Sequence, residues 1–171
     1  DGDTLRPPRM PSPGDAAFSE VYADLPGIDD RWAEWVELRI HRPFDLGGLV
    51  LEHATPTGHR AFPIATADCL PASADTFAVL GGTSDAARNG GVAAMLAAFP
   101  EGLSLYNGAA TLTLRTADGT VIAQAAHGAA SPGVALGLAP EGAAWCEQRS
   151  TGQFAGTGTP GGANDPCEAA P

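Results

Sequence analysis

Apolar and polar residues alternate in short runs along most of this chain, a two-residue period that sends successive side chains to opposite faces of a strand. The pattern predicts strands at Phe18-Ser19-Glu20-Val21-Tyr22, Trp35-Val36-Glu37-Leu38, Leu49-Val50-Leu51 and Thr76-Phe77-Ala78-Val79-Leu80. Between Gly102 and Ala126, the pairs Asn107-Gly108 and Asp118-Gly119 separate three further β-prone runs at 103–106, 111–115 and 120–123. Asn-Gly and Asp-Gly supply the positive φ that tight hairpins need, so this region predicts a three-stranded antiparallel meander. Leu112 and Leu114 then face the core, and Thr111, Thr113 and Arg115 face away.

Helix has little room. Ser84-Asp85-Ala86-Ala87-Arg88 suits one capped turn before Asn89-Gly90-Gly91 stops it, and Ala-rich 92–99 fits either helix or strand. Residues 1–15 are polar and carry Pro7, Pro8, Pro11 and Pro13, a composition that predicts an extended tether. Residues 16–167 then form the domain and 168–171 a short tail. Many short strands punctuated by Gly and Pro indicate an all-β fold, an antiparallel β-sandwich with at most one short helix.

Two sets of motifs carry a family resemblance. Glu34-Trp35-Val36-Glu37-Leu38, followed by Asp45-Leu46-Gly47-Gly48-Leu49-Val50-Leu51, resembles the opening of bacterial lamin-tail domains, and Thr159-Pro160-Gly161-Gly162-Ala163-Asn164 resembles their close. Between them the runs at 77–80, 103–107, 112–114 and 118–121 fall in the family's order. The resemblance implies an immunoglobulin-like β-sandwich and a non-catalytic structural or interaction module of an exported, cell-surface or envelope protein. Its rival is a carbohydrate- or ligand-binding targeting module of a secreted hydrolase. In two places the chain departs from the family pattern: Arg39-Ile40-His41-Arg42 follows the first motif, where the family often has Asn, and Leu49 stands where the second motif often has Trp.

Composition narrows the chemistry. With 171 residues and 44% hydrophobic positions the chain can bury one sizeable core. Its net charge is −11, which argues against nucleic acid as a partner. All nine basic residues are Arg, so a lysine nucleophile and a P-loop lysine are both excluded. The longest run without Asp, Glu or Arg, 119–140, is too rich in Gly and polar residues to span a bilayer. Membrane contact is expected only through a lipid anchor upstream of the tether, and the expected partner is a protein or a surface glycan.

No catalytic residue, metal site or cofactor is predicted. The histidines 41, 53, 59 and 127 show no metal-ligand spacing, and no nucleophile elbow is present. Asp24-Leu25-Pro26-Gly27-Ile28-Asp29-Asp30 is an acidic loop without the ordered spacing of a calcium loop. Asp29, Asp30 and the adjacent Trp32 are the candidate ligand contacts, with Trp32 as a possible stacking platform. Trp35 and Glu37 read as structural. They share a face opposite Glu34, and a half-buried Glu37 needs a backbone N–H or an arginine as partner. Cys146 follows the last apolar run, and Cys167 lies in a polar segment unable to hold itself in place, so the two are expected to form a disulfide. Cys69 is expected to be a buried thiol.

Overall fold

The computed structural model describes residues 9–65, 69–139 and 144–167. The first eight residues of the expected tether and the expected tail at 168–171 lie outside the described residues.

The chain runs through β1 (Ala16–Tyr22), α1 (Asp30–Ala33), β2 (Trp35–Ile40), β3 (Phe44–Asp45), β4 (Val50–Thr55), β5 (Gly58–Pro63), β6 (Pro71–Ala72) and β7 (Phe77–Gly81). It continues through β8 (Met95–Ala97), β9 (Ala110–Arg115), β10 (Val121–His127), β11 (Leu136–Leu138) and β12 (Trp145–Glu147). They make a six-stranded sheet, β12-β11-β1-β2-β7-β8, a four-stranded sheet, β10-β9-β4-β5, and the small pair β3-β6. Pairing is antiparallel except between β7 and β8. The fold is an all-β sandwich.

The alternation in β2 explains the layering. Val36, Leu38 and Ile40 point inward and, with Phe18 and Leu80, meet Leu51, Leu112, Leu114 and Ile122 of the four-stranded sheet. Trp35 points the other way into a second cluster with Tyr22, Val79, Met95 and Ala33, against which Phe154 packs. The six-stranded sheet is therefore covered on both faces, which is why Trp35 through Leu38 are all fully buried. On the outer face of the four-stranded sheet, Arg115 pairs with Glu52 at 2.7 Å, and Gln124 donates to Thr113.

Three local readings are corrected. Residues 103–106 are not a strand, and β9 pairs with β4 and β10 instead. Leu103 and Leu105 are buried as alternation suggests, but their backbone groups bond to other parts of the chain: Leu103 N–H donates to Arg31 C=O and Leu105 N–H to Glu34 Oε2. Side chains substitute for a ladder here. Residues 84–88 form a turn closed on the Asp85 carbonyl, ended by Gly90 at φ +77°. The one helix is instead α1, where Asp29 caps the N-terminus by accepting from Arg31 N–H. Residues 9–15 lie against the sandwich: Arg9 pairs with Asp15, Gly14 N–H donates to Ile122 C=O at 3.0 Å, and Pro11 and Asp15 are buried.

Candidate functional site

A single row of register partners crosses the whole six-stranded sheet, Cys146-Gly137-Glu20-Glu37-Val79-Met95. A β-bulge makes it possible. Phe18 opposes Leu38 and Glu20 opposes Glu37, so Ser19 is the extra residue that turns Glu20 out of the core and onto the face of Glu37. Segment 157–167 then crosses this row as a clasp. Thr159 donates its N–H to Glu20 Oε1 at 2.9 Å, and Gly161 N–H donates to Glu37 Oε2 at 2.6 Å. Ser19 Oγ donates to the other Glu37 oxygen at 2.7 Å. The clasp doubles back so that Asn164 Nδ2 donates to the carbonyls of Ser19 and Leu138, while Asp165 N–H donates to Gln148 Oε1. Cys167 closes it by the disulfide to Cys146, with Cα atoms 5.7 Å apart. Such a bridge persists in a non-reducing compartment.

Burial decides the chemistry of these carboxyls. Desolvation pushes Glu20 up to about 8, against the hydrogen bonds from Thr159 and with help from the Glu37 charge. Glu37 is raised to about 7 by burial, opposed by Ser19, Gly161 and Arg39. Thr159 Oγ1 donates to Glu20 Oε2 at 3.0 Å and also lies 2.9 Å from Asn164 Oδ1, so its single proton is shared between two acceptors. A catalytic carboxylate pair needs access to substrate, whereas Glu20 and Glu37 are both fully buried and occupied by the clasp.

A second polar cluster ties the two sheets together at 103–106. Arg60 on β5 donates to the carbonyls of Ser104 and Leu105, each at 2.8 Å, and lies 4.2 Å over the Tyr106 ring. Glu34, raised to about 9 by burial, holds Leu105 N–H. Tyr106 N–H donates to His53 Nδ1 at 3.0 Å, and His127 Nδ1 lies 2.8 Å from Gly128 O. A carbonyl only accepts, so His127 carries its proton on Nδ1, and the accepting Nδ1 of His53 leaves that ring protonated at Nε2. The 3.0 Å contact between the two Nε2 atoms is then a hydrogen bond from His53 to His127, with the rings within 4° of parallel. His53 has no lone pair left for a metal. Among the described residues no group of three or more His, Cys, Asp or Glu could hold a metal ion.

The residues singled out from sequence do not converge on one place. Asp29 is spent on capping α1 and on an ion pair with Arg31, and Asp30 is exposed in the first turn. Trp32 is half-buried, with Arg88 4.2 Å over its ring. Trp35 and Glu37 are buried on one face as expected, and the partners of Glu37 are a backbone N–H and a serine. Cys69 is exposed rather than buried, the core position beside it being taken by Leu70; its thiol donates to the Asp45 carboxylate. The histidine pair and the facing of Glu20 toward Glu37 were not anticipated. A chemical signal for the former existed only in the polar residue His53 interrupting the apolar alternation of β4. Among the described residues the exposed large apolar side chains are Met10 and Val121. No helix among them is long and apolar enough to cross a membrane.

Compared with protein-family models and with curated proteins, the chain matches none.

Proposed function

We propose that this chain is a lamin-tail-type sandwich acting as a non-catalytic structural or interaction module of an exported or envelope protein. One observation carries the reading. The opening motif Glu34-Trp35-Val36-Glu37-Leu38 and the closing motif Thr159-Pro160-Gly161-Gly162-Ala163-Asn164 meet through the bond from Gly161 N–H to Glu37, across 124 residues of chain. The chain's strongest motifs thus serve one another, and their polar atoms are turned inward. The disulfide supports export. Carbohydrate targeting through an aromatic platform has less support, since Trp32 already carries a guanidinium on its ring.

A binding screen of the purified chain against glycans and envelope or extracellular proteins, run beside hydrolase substrates, tests this. A retained protein or glycan with no turnover is expected. Reproducible turnover abolished by replacing a single Glu, Asp or His overturns it.

A further inference from the structure

The outer face of β1, β2 and β7 is built as three rows, Tyr22-Trp35-Gly81, Glu20-Glu37-Val79 and Ala17-Arg39-Phe77. Phe154 packs against Tyr22 and Trp35 of the first row, and the clasp covers the carboxyls of the second. At the third row the cover ends. A cleft of about 400 Å³ opens there, lined by Ala17, Arg39, His41, Phe77, Leu138 and Ala163 among others. That volume lies within the ~300–1,000 Å³ range of small-molecule sites.

Charge and shape single out one kind of occupant. The chain is strongly acidic, yet among the described residues Arg39 forms no ion pair. Its guanidinium lies 4.7 Å over the Phe77 ring, which fixes the plane of its donors. The nearest carboxyl on its strand, Glu37, has both oxygens occupied by Ser19 and Gly161. A planar cation held on an aromatic ring, beside Ala17, Leu138 and Ala163, presents paired donors next to an apolar wall. Arginine at such a position suits bidentate recognition of a carboxylate. The cation comes from the Arg39-Ile40-His41-Arg42 stretch, where the chain departs from the pattern of the family it resembles.

We infer that this cleft binds a monocarboxylate on an aromatic or branched apolar body, with Arg39, held on Phe77, taking the carboxylate and Leu138, Ala17 and Ala163 receiving the body. The inference deepens the interaction-module reading and rests on it. A free organic acid and the C-terminal carboxylate of a peptide share this chemistry.

Titration of the ¹⁵N-labelled chain followed by NMR tests it, using 3-phenylpropionate, N-acetyl-Ala-Ala-Phe and the same peptide with an amidated C-terminus. Both acids are expected to shift the resonances of Arg39, Phe77 and Leu138, and the amide to bind at least tenfold more weakly. Tighter binding of the peptide acid identifies a chain terminus as the source, and equal binding shows that the free acid suffices. Arg39→Gln should lose at least tenfold in affinity, with Arg39→Lys between it and the native chain and an unchanged spectrum elsewhere reporting intact folding. Absence of binding by both acids, equal binding of the amide, or indifference to Arg39→Gln overturns the inference. A partner from the binding screen that Arg39→Gln still retains also overturns it while leaving the module reading in place; turnover in that screen removes the module reading instead.

Discussion

Glu20 and Glu37 face each other across β1 and β2, and one segment of chain, Thr159 to Gly161, supplies backbone N–H groups to both. Two carboxyls in one dry layer are tolerated because at least one stays protonated. For Glu20 the folded value is about 8 against an ordinary 4.5, so between these values the folded state holds a proton that the unfolded chain lacks. Its contribution to stability is full below about 4.5 and lost as pH rises through about 8. Glu20→Gln keeps the size of the side chain and an oxygen to accept from Thr159 N–H, and removes the titrating proton. The variant is expected to lose less stability than the native chain between pH 6 and pH 9 in urea unfolding, the remaining slope coming from Glu37 and Glu34. An unchanged slope would show that Glu20 is ionised in the fold.

The histidine pair responds in the opposite sense. Burial, with the neighbouring His127 and Arg60, holds His53 down at about 4, and burial also lowers His127. The pair's contribution is therefore full above about 6.5 and lost as pH falls through about 4. The other ionisable groups around it are Arg60 on β5 and Tyr106 from the connecting segment. Nitrogen NMR at pH 7 should find His53 protonated at Nε2 and His127 at Nδ1. His127→Phe strands the His53 Nε2–H and is expected to cost roughly 1–3 kcal/mol. Replacing both histidines by phenylalanine should cost less than the sum of the single changes.

Reducing the Cys146–Cys167 bridge releases the far end of the clasp. With a separation of 21 residues, the chain-entropy model gives a loss of about 3 kcal/mol. Denaturant unfolding of the double Cys→Ser variant should show it, and peptide mapping without reduction should recover the 146–167 link with Cys69 outside it.

Gly137 leaves room on the sheet for Gln148 and for Asn164 of the clasp. A Cβ there would overlap the side chains of Gln148 and Asn164, both buried and both hydrogen-bonded. Gly137→Ala is expected to destabilise by about 1–3 kcal/mol. Gly108 has nothing within 4 Å of the same position, and Gly108→Ala should stay within about 0.5 kcal/mol of the native chain by thermal unfolding.

Alternation read from the sequence located β1, β2, β7, β9 and β10, because each has one face in a core and a local turn or polar break beside it. It could not place Glu20. Strict two-residue alternation puts residue 20 on the side of Phe18, and only the bulge at Ser19, visible as a register shift against β2, reverses it. Strand β5 escaped notice for a different reason: Gly58-His59-Arg60-Ala61-Phe62-Pro63 is an edge strand whose side chains are nowhere fully buried. Residues 103–106 have strand composition, yet their partners are Glu34, Arg60 and His53, up to 71 residues away. The disulfide was legible because a polar tail with a cysteine has few other means of attachment. The Arg39 cleft was not, since its walls come from β1, β2, β7, β11 and the clasp, and a single strand's pattern carries no record of where its cover stops.

The clasp follows every strand in chain order, which imposes a sequence of events on synthesis. When β12 leaves the ribosome, all the described strands exist, but Glu20 and Glu37 still lack the backbone donors that make their burial tolerable. Until Gly161 and Asn164 emerge, those carboxyls remain hydrated and the outer face of the six-stranded sheet stays unsealed. A nascent chain of this kind is held short of its final state by its own missing segment. The oxidising step that joins Cys146 to Cys167 can seal the face only after the last part of the clasp has arrived.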